Sequence, residues 1–266
     1  MYDVAIIGGG LAGLTNAILL ASKGNRVVLL EKQQYPYHKV CGEYVSNEVK
    51  PFLQKIGLDP LPFQTPHIDQ VKLTTPGGNK TTLPLDLGGF GISRYNLDYL
   101  FYQKACESGT TVMTKTKVSN VTYNPTGDFF TIQTHKATNY EASVVIGNFG
   151  KLSVMDRQLN RAFLQQSSLY IGVKYHISLD APDNEVALHN FPNGYCGLSK
   201  IEDDKYCLCY LAHRDDLRKT GSIEQLEKQV LSKNPHLKQI FREAHFLWQK
   251  PAVINEISFA QKSLVQ

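Results

Sequence analysis

No stretch of this sequence would cross a bilayer cleanly. Its most apolar run, Val4–Leu20, is interrupted by Gly8, Gly9, Gly10, Gly13 and Asn16, and no basic leader precedes it. That pattern fits neither a spanning helix nor a secretory signal. Charge of one sign is also missing: 28 basic and 24 acidic residues leave a net +4, spread along the chain. Without a basic face, nucleic acid is excluded as a partner. Cys41, Cys106, Cys196, Cys207 and Cys209 make an odd set with no paired framework, so reduced thiols in a cytoplasmic protein are expected. Repeats and low-complexity tracts are absent. A chain that is 42% hydrophobic and 20% charged is not a disordered tail. What remains is an ordinary enzyme-like globule with no sign of a stable protein partner. A greasy substrate, or contact with a membrane surface, stays compatible with it.

The informative part begins at residue 3. Asp3–Ile7 is short, apolar and β-branched, as a buried parallel strand should be. Gly8–Gly13 punctuates it, and Leu14–Ser22 carries Leu14, Ala17, Ile18 and Ala21 at helical spacing. Arg26–Leu30 follows as a second strand and closes on Glu31, completing a βαβ unit. In Gly8-Gly9-Gly10-Leu11-Ala12-Gly13, Gly8 permits the tight turn, Gly10 admits backbone to a pyrophosphate, and Gly13 lets helix pack on strand. The helix N-terminus then offers unpaired N–H groups to phosphate. Glu31 is placed to accept from ribose hydroxyls and would repel a 2′-phosphate, which argues against NADP at this turn.

Farther along, Ser46–Ile56 reads as a short helix closed by Gly57. Gln70–Pro84 reads as a hairpin around Pro76-Gly77-Gly78-Asn79. Asn96 is a candidate cap for a helix over Leu97–Glu107. Thr111–Lys115, Val118–Tyr123, Phe129–Thr134 and Glu141–Ile146 read as strands. Beyond residue 166 the character turns antiparallel: Tyr170–Ile177, Glu185–Asn190, Tyr195–Lys200 and Tyr206–Leu211 are strand candidates. Helices are expected at Ser222–Ser232 and Pro235–His245, and a last strand at Ile254–Ala260. The expected class is α/β, α+β overall: a Rossmann-type cofactor domain with a parallel sheet and a three-stranded antiparallel meander, interrupted by an antiparallel substrate domain. The boundaries place 1–68 and 91–165 in the first domain, and 69–90 and 166–266 in the second.

Four segments together resemble the geranylgeranyl reductase family, within the flavoprotein class built like p-hydroxybenzoate hydroxylase. They are Asp3–Gly13 with Val28–Lys32; Lys39-Val40-Cys41-Gly42-Glu43 with Ser46; Gly91-Ile92-Ser93-Arg94 with Leu97, Asp98 and Leu100; and Phe191-Pro192-Asn193-Gly194-Tyr195-Cys196-Gly197. The resemblance implies FAD as cofactor, with NAD(P)H or another reductant as electron donor. It implies FAD contacts at Gly8, Gly10, Leu11, Ala12, Gly13, Glu31 and Lys32. Lys39, Cys41 and Gly42 would lie beside the flavin, and Arg94, Val118 and Gly150 would complete the contacts. Where related hydroxylases carry a D-G pair, this sequence has Asn148-Phe149-Gly150, which weakens a hydroxylase reading. The family also closes the flavin site with a G-D motif and a helix. These would follow Gln266, so the chain is expected to lack that part and to hold FAD weakly by itself.

The implied reaction is reduction of carbon–carbon double bonds in a prenyl or other lipidic small molecule, with Cys41 or Tyr44 as proton donor. Two alternatives stand beside it: an FAD-dependent monooxygenase using NAD(P)H and O₂, and an inactive fragment without a complete flavin site. Cys41 reads either as a flavin-adjacent proton donor or redox thiol, or as a small side chain filling space beside Gly42. Phe191 and Tyr195 read either as walls of an apolar substrate cavity or as core aromatics. Cys207, Cys209 and His213 bring no second ligand pair, so no metal is expected. His176, His189 and His245 pair with no nucleophile, and no triad is assigned.

Overall fold

A computed structural model of the protein describes residues 1–59, 61–151, 153–166 and 168–262. In chain order, β1 (Tyr2–Ile7), α1 (Leu11–Ala21) and β2 (Val27–Leu30) come first. They are followed by β3 (Tyr44–Ser46), α2 (Lys50–Lys55), β4 (His67–Thr74) and β5 (Lys80–Gly91). Next are α3 (Arg94–Glu107), β6 (Thr111–Met113), β7 (Val118–Asn124), β8 (Phe129–Thr134), β9 (Asn139–Gly147) and α4 (Val154–Gln158). The last part holds β10 (Tyr170–Ser178), β11 (Glu185–Phe191), β12 (Gly194–Lys200) and β13 (Tyr206–His213). It ends with α5 (Arg214–Thr220), α6 (Ile223–Gln229), α7 (Pro235–Glu243), β14 (His245–Phe246) and β15 (Ala252–Ile257). The chain visits each of two compact units more than once. Residues 1–37, 95–166 and those from Ala260 on form the first, and 38–94 with 168–259 the second.

The first unit is built on a six-stranded sheet in the order β6-β2-β1-β9-β8-β7. β6, β2, β1 and β9 run parallel, whereas β7, β8 and β9 form the antiparallel meander. Val4–Ile7 and all of Val27–Leu30 are buried, which is why both strands read as unbroken apolar runs rather than alternating ones. Ala5, Ile7, Val28 and Leu30 share a core with Val118, Ile132, Ala142 and Met155. Gly13, Leu14, Ala17 and Ile18 are the buried face of α1.

The second unit holds a nine-stranded sheet, β14-β10-β13-β12-β11-β4-β5-β3, with β15 also paired to β10. β4 and β11 are its one parallel pair among the described strands. Alternation sorts side chains between the two faces. Ile171, Val173, Tyr175 and Ile177 of β10 join Tyr206, Leu208, Tyr210 and Ala212 of β13 in the core, together with Leu226, Leu231 and Leu237. Each fully buried leucine there contributes about 1.5–3 kcal/mol. The other face carries Gly172, Lys174, His176, Cys207, Cys209 and Ser199, which are small or polar.

Several boundaries differ from expectation. The first unit ends at 37 and resumes at 95, so segment 38–68 belongs to the second unit, where β3 pairs with β5 and β4 with β11. Within the helix expected at Ser46–Ile56, Ser46 ends β3, Asn47–Val49 forms a 3-10 turn, and the α-helix proper covers Lys50–Lys55. α3 begins at Arg94, which leaves Asn96 inside its first turn rather than capping it. The last strand lies earlier, at Ala252–Ile257. α5 was not foreseen. Its N-cap is His213, whose Nδ1 accepts from Asp215 N at 3.3 Å.

Candidate functional site

The sequence-predicted residues fall at two places, one in each unit. In the first unit, Gly8 N donates to Leu30 O at 2.9 Å, and Leu14 N to Gly10 O at 2.9 Å. Gly8 adopts φ +102°, and a Cβ there would meet Asn148 O at 2.5 Å. A Cβ on Gly13 would stand 2.0 Å from Gly8 O, so the helix rests on the turn with no room for a side chain. Gly10 is the extended N-cap of α1; no side chain caps the helix and no acid lies in its first turn. The chain therefore presents a helix N-terminus whose partial positive charge is left to a ligand. Asn148, at the end of the neighbouring strand, keeps a buried Nδ2 without a partner. This backbone cradle fits a dinucleotide pyrophosphate.

Glu31 is buried, and its two oxygens accept from Gly9 N at 2.7 Å and Gln33 N at 2.8 Å. It thus fixes the glycine turn. Leu11 and Ala12 open α1, and Lys32 is exposed just past β2. Val118 is placed differently from the reading that made it a cofactor contact: its side chain lies in the core, leaving only its backbone for a ligand. Gly150 adopts φ +72° and its carbonyl accepts from Lys262 Nζ at 2.6 Å. Phe149, in the position of the missing acid, lies under that same ammonium, 4.4 Å from the ring centroid.

In the second unit, Lys39–Glu43 crosses the small and polar face of the sheet. Lys39 O accepts from Lys174 Nζ at 3.1 Å, Cys41 O from Cys207 Sγ at 3.2 Å, and Gly42 O from Ser199 Oγ at 2.8 Å. Glu43 sits at φ +58°, unusual for a residue with a side chain. Its buried carboxylate bonds Lys174 Nζ, His176 Nε2 at 2.7 Å and Arg94 N at 2.7 Å. Burial would raise the Glu43 carboxyl, but His176 and Lys174 outweigh it and hold the group below the usual carboxylate range. Rings of His38 and Trp248 pack on His176, with centroids at 5.1 and 4.5 Å. Burial, His176 and Lys174 push His38 down to about 4. Burial drives the Cys207 thiol well up and Cys209 up to about 12, so Cys207 remains an S–H donor to the loop.

Sequence reasoning missed this cluster. It names Glu43, His176 and Cys207 separately, and no spacing links residue 43 to 174 and 176. Only the rule that alternate strand residues share a face offered a signal, since it pairs Lys174 with His176. Glu43, His176 and Cys207 also offer atoms within 4.8 Å of one another, a spacing a metal ion could use. The ammonium of Lys174 already balances that carboxylate and opposes a cation there.

The remaining candidates separate. Cys41 is partly exposed. Tyr44 lies on β3 with its ring against Gly89, and burial followed by Glu48 raises its phenol. Phe191 and Tyr195 do not share a cavity. Asn190 pairs with Tyr195 and Phe191 with Gly194, so alternation puts the two aromatics on opposite faces. Phe191 is core, edge-on to Tyr210 at 6.5 Å, whereas Tyr195 is exposed on the face that carries Lys39–Glu43.

Comparison with known proteins agrees with this geometry. The chain is 32% identical over 128 residues to a digeranylgeranylglycerophospholipid reductase of Methanoculleus marisnigri, covering 44% of this chain and 30% of that protein. It is 31% identical over 131 residues to a flavin-dependent halogenase of Pestalotiopsis fici, covering 46% and 24%. The halogenase PltM, solved with phloroglucinol and FAD, superposes with a TM-score of 0.79 at 18% identity, over 96% of this chain and 60% of that one; this shows the fold. The chain spans 61% of the length of a Methanosarcina barkeri relative and smaller shares of the reductase and the halogenase. No described helix is long and apolar enough to cross a membrane. A model of the FAD binding domain matches residues 1–202, and with the glycine turn that the sheet presents, the chain belongs to the FAD binding domain family.

Proposed function

We propose that this chain is the cofactor-binding and substrate-domain part of an FAD-dependent oxidoreductase that saturates carbon–carbon double bonds of a prenyl or similarly lipidic substrate. FAD, when bound and reduced, supplies a hydride equivalent. The chain's own work begins at α1, where Gly8–Gly13 and the helix N-terminus would take the pyrophosphate, and Glu31 a ribose. An isolated alkene accepts hydride poorly, so a proton must reach the second carbon. The observation that carries this reading is Cys41, a partly exposed thiol on a segment whose carbonyls at 39, 41 and 42 are tied to the sheet. Sγ of Cys41 is the proton donor in this reading, and Oη of Tyr44 the reserve. The identity to a reductase of a digeranylgeranyl lipid supports it.

A second reading, in which reduced flavin handles O₂ in a monooxygenase or a halogenase, draws on the halogenase relatives and their shared fold. Phe149 in place of an acid weighs against its hydroxylase form. The test is anaerobic turnover of a geranylgeranyl lipid by the protein carrying this chain, with chemically reduced FAD. A mass gain of two hydrogens per double bond supports reduction. Labelled oxygen or halide in the product, appearing only when air is admitted, overturns it.

A further inference from the structure

The Lys174–Glu43–His176 cluster is more than the fold requires. Residues 174 and 176 lie on one face of β10, where apolar side chains of similar volume are often at least as stabilising as a buried ion pair. The chain instead spends two ionisable groups on holding a third, and Glu43 occupies a left-handed backbone conformation to receive them. Its other hydrogen bonds go to the backbone of two short segments, while the rings of His38 and Trp248 pack on His176. Lys174 also holds Lys39 O, Glu43 also takes Arg94 N, and Glu43 O accepts from Ile92 N at 3.0 Å. Cys207 and Ser199, on neighbouring strands of the same face, take the carbonyls of Cys41 and Gly42. Cys41, partly exposed, lies in the middle of this scaffold.

We infer that Glu43 is a positioning residue which, gripped by Lys174 and His176, locks the Lys39–Glu43 backbone and so fixes where the Cys41 thiol stands. What the fixed thiol does rests on the proposed function; that it is fixed does not. Glu43 is not catalytic in this account, because it acts only through the loop. The cluster also has a built-in reporter: Trp248 is the chain's one tryptophan, and Lys174 Nζ stands 5.5 Å from its ring centroid.

The experiment follows Cys41 carbamidomethylation by peptide mass in a Cys106→Ser background, since Cys106 is exposed. His176→Leu removes one grip without leaving a charge unpaired, and His176→Gln restores a donor near the position of Nε2. Locking predicts labelling about tenfold faster in His176→Leu than in the parent, and close to the parent in His176→Gln, as local opening governs access. Glu43→Gln/Lys174→Met, neutral at both ends, should melt near the parent yet label fast and shift the Trp248 emission. Parent-like labelling in either His176→Leu or that double variant, with the protein still folded, overturns the inference. Should one of the two fail to fold, the other decides. Because labelling needs no flavin, a labelling effect in a protein without alkene reduction leaves positioning intact and removes the reaction reading. The converse result removes positioning alone.

Discussion

The glycine turn of the first unit and the Lys39–Glu43 segment of the second are both short backbone stretches held in one shape, by opposite means. At the turn, shape comes from missing side chains: a Cβ on Gly13 would sit 2.0 Å from Gly8 O. On the sheet face of the second unit, shape comes from side chains that reach in from strands far along the chain, the charged Lys174 among them. The first solution leaves N–H groups facing outward for a ligand. The second uses its donors internally and leaves the Cys41 thiol partly exposed. A turn built by omission fails through steric overlap, and a scaffold built on charge fails through an unpaired ion.

These failure modes are separable. Gly13→Val should be the most damaging change, costing at least about 3 kcal/mol because backbone rather than a flexible side chain blocks the new atoms. Thermal melting and flavin content should fall together. Gly24→Ala is the control: φ there is +86° with nothing within 4 Å, so only backbone strain of about 1 kcal/mol is expected. Equal losses in the two would show that conformation rather than closeness governs the turn.

Lys174→Met comes close in size. It leaves Glu43 buried without its cation, a loss of about 3–5 kcal/mol in urea unfolding, most of it recovered by adding Glu43→Gln. No recovery would mean that the carboxylate keeps its worth through His176 and Arg94 N alone.

Acid should probe a third place. Burial, then His236 and Lys72, push His189 down to about 4, while its Nδ1 is bonded to Thr74 Oγ1 at 3.0 Å. The folded state holds the neutral ring below its unfolded pKa of about 6.5. The contribution is therefore complete above that pH and drains as pH falls toward 4, by roughly 3 kcal/mol. Glu43, also depressed, loses its share in the same direction but at lower pH. His189→Asn should lessen the slope of stability between pH 6.5 and 4, with His38 keeping its own share; a profile as steep as the parent's would remove His189 from the account. The smallest effect belongs to Arg26→Ala. Its pair with Asp3 is exposed, and the melting midpoint should not move measurably, as for most surface pairs.

Much of the first unit was legible because its determinants are local. A strand, a glycine turn, a helix and a second strand follow one another within about thirty residues, and each has a steric or periodic signature. The meander and the hairpin strands were readable for the same reason. The Glu43 cluster was not, because residues 43, 94, 174 and 176 are brought together only by pairing of distant strands. The start of α3 shows the limit at one residue. Asn96 has the chemistry of a cap, yet the carboxylate of Glu43 reaches Arg94 N and the helix begins at Arg94, three residues earlier than Leu97. The shared cavity expected of Phe191 and Tyr195 failed on parity, which depends on register in the hairpin and not on residue type.

The order in which β1 finds its neighbours bears on how the protein is made. β1 pairs with β2 on one side almost at once, but its other partner is β9, with Tyr2 opposite Ala142. The excursion through β3, α2, β4 and β5 is synthesised in between. At about 5–20 residues per second, a nascent chain carries an open, apolar central strand for on the order of ten seconds before that edge can close. An unpaired strand edge of this kind is a template for pairing with other chains. The nascent first unit is therefore expected to depend on chaperone shelter until residue 147 has left the ribosome, while the finished sheet has no such need.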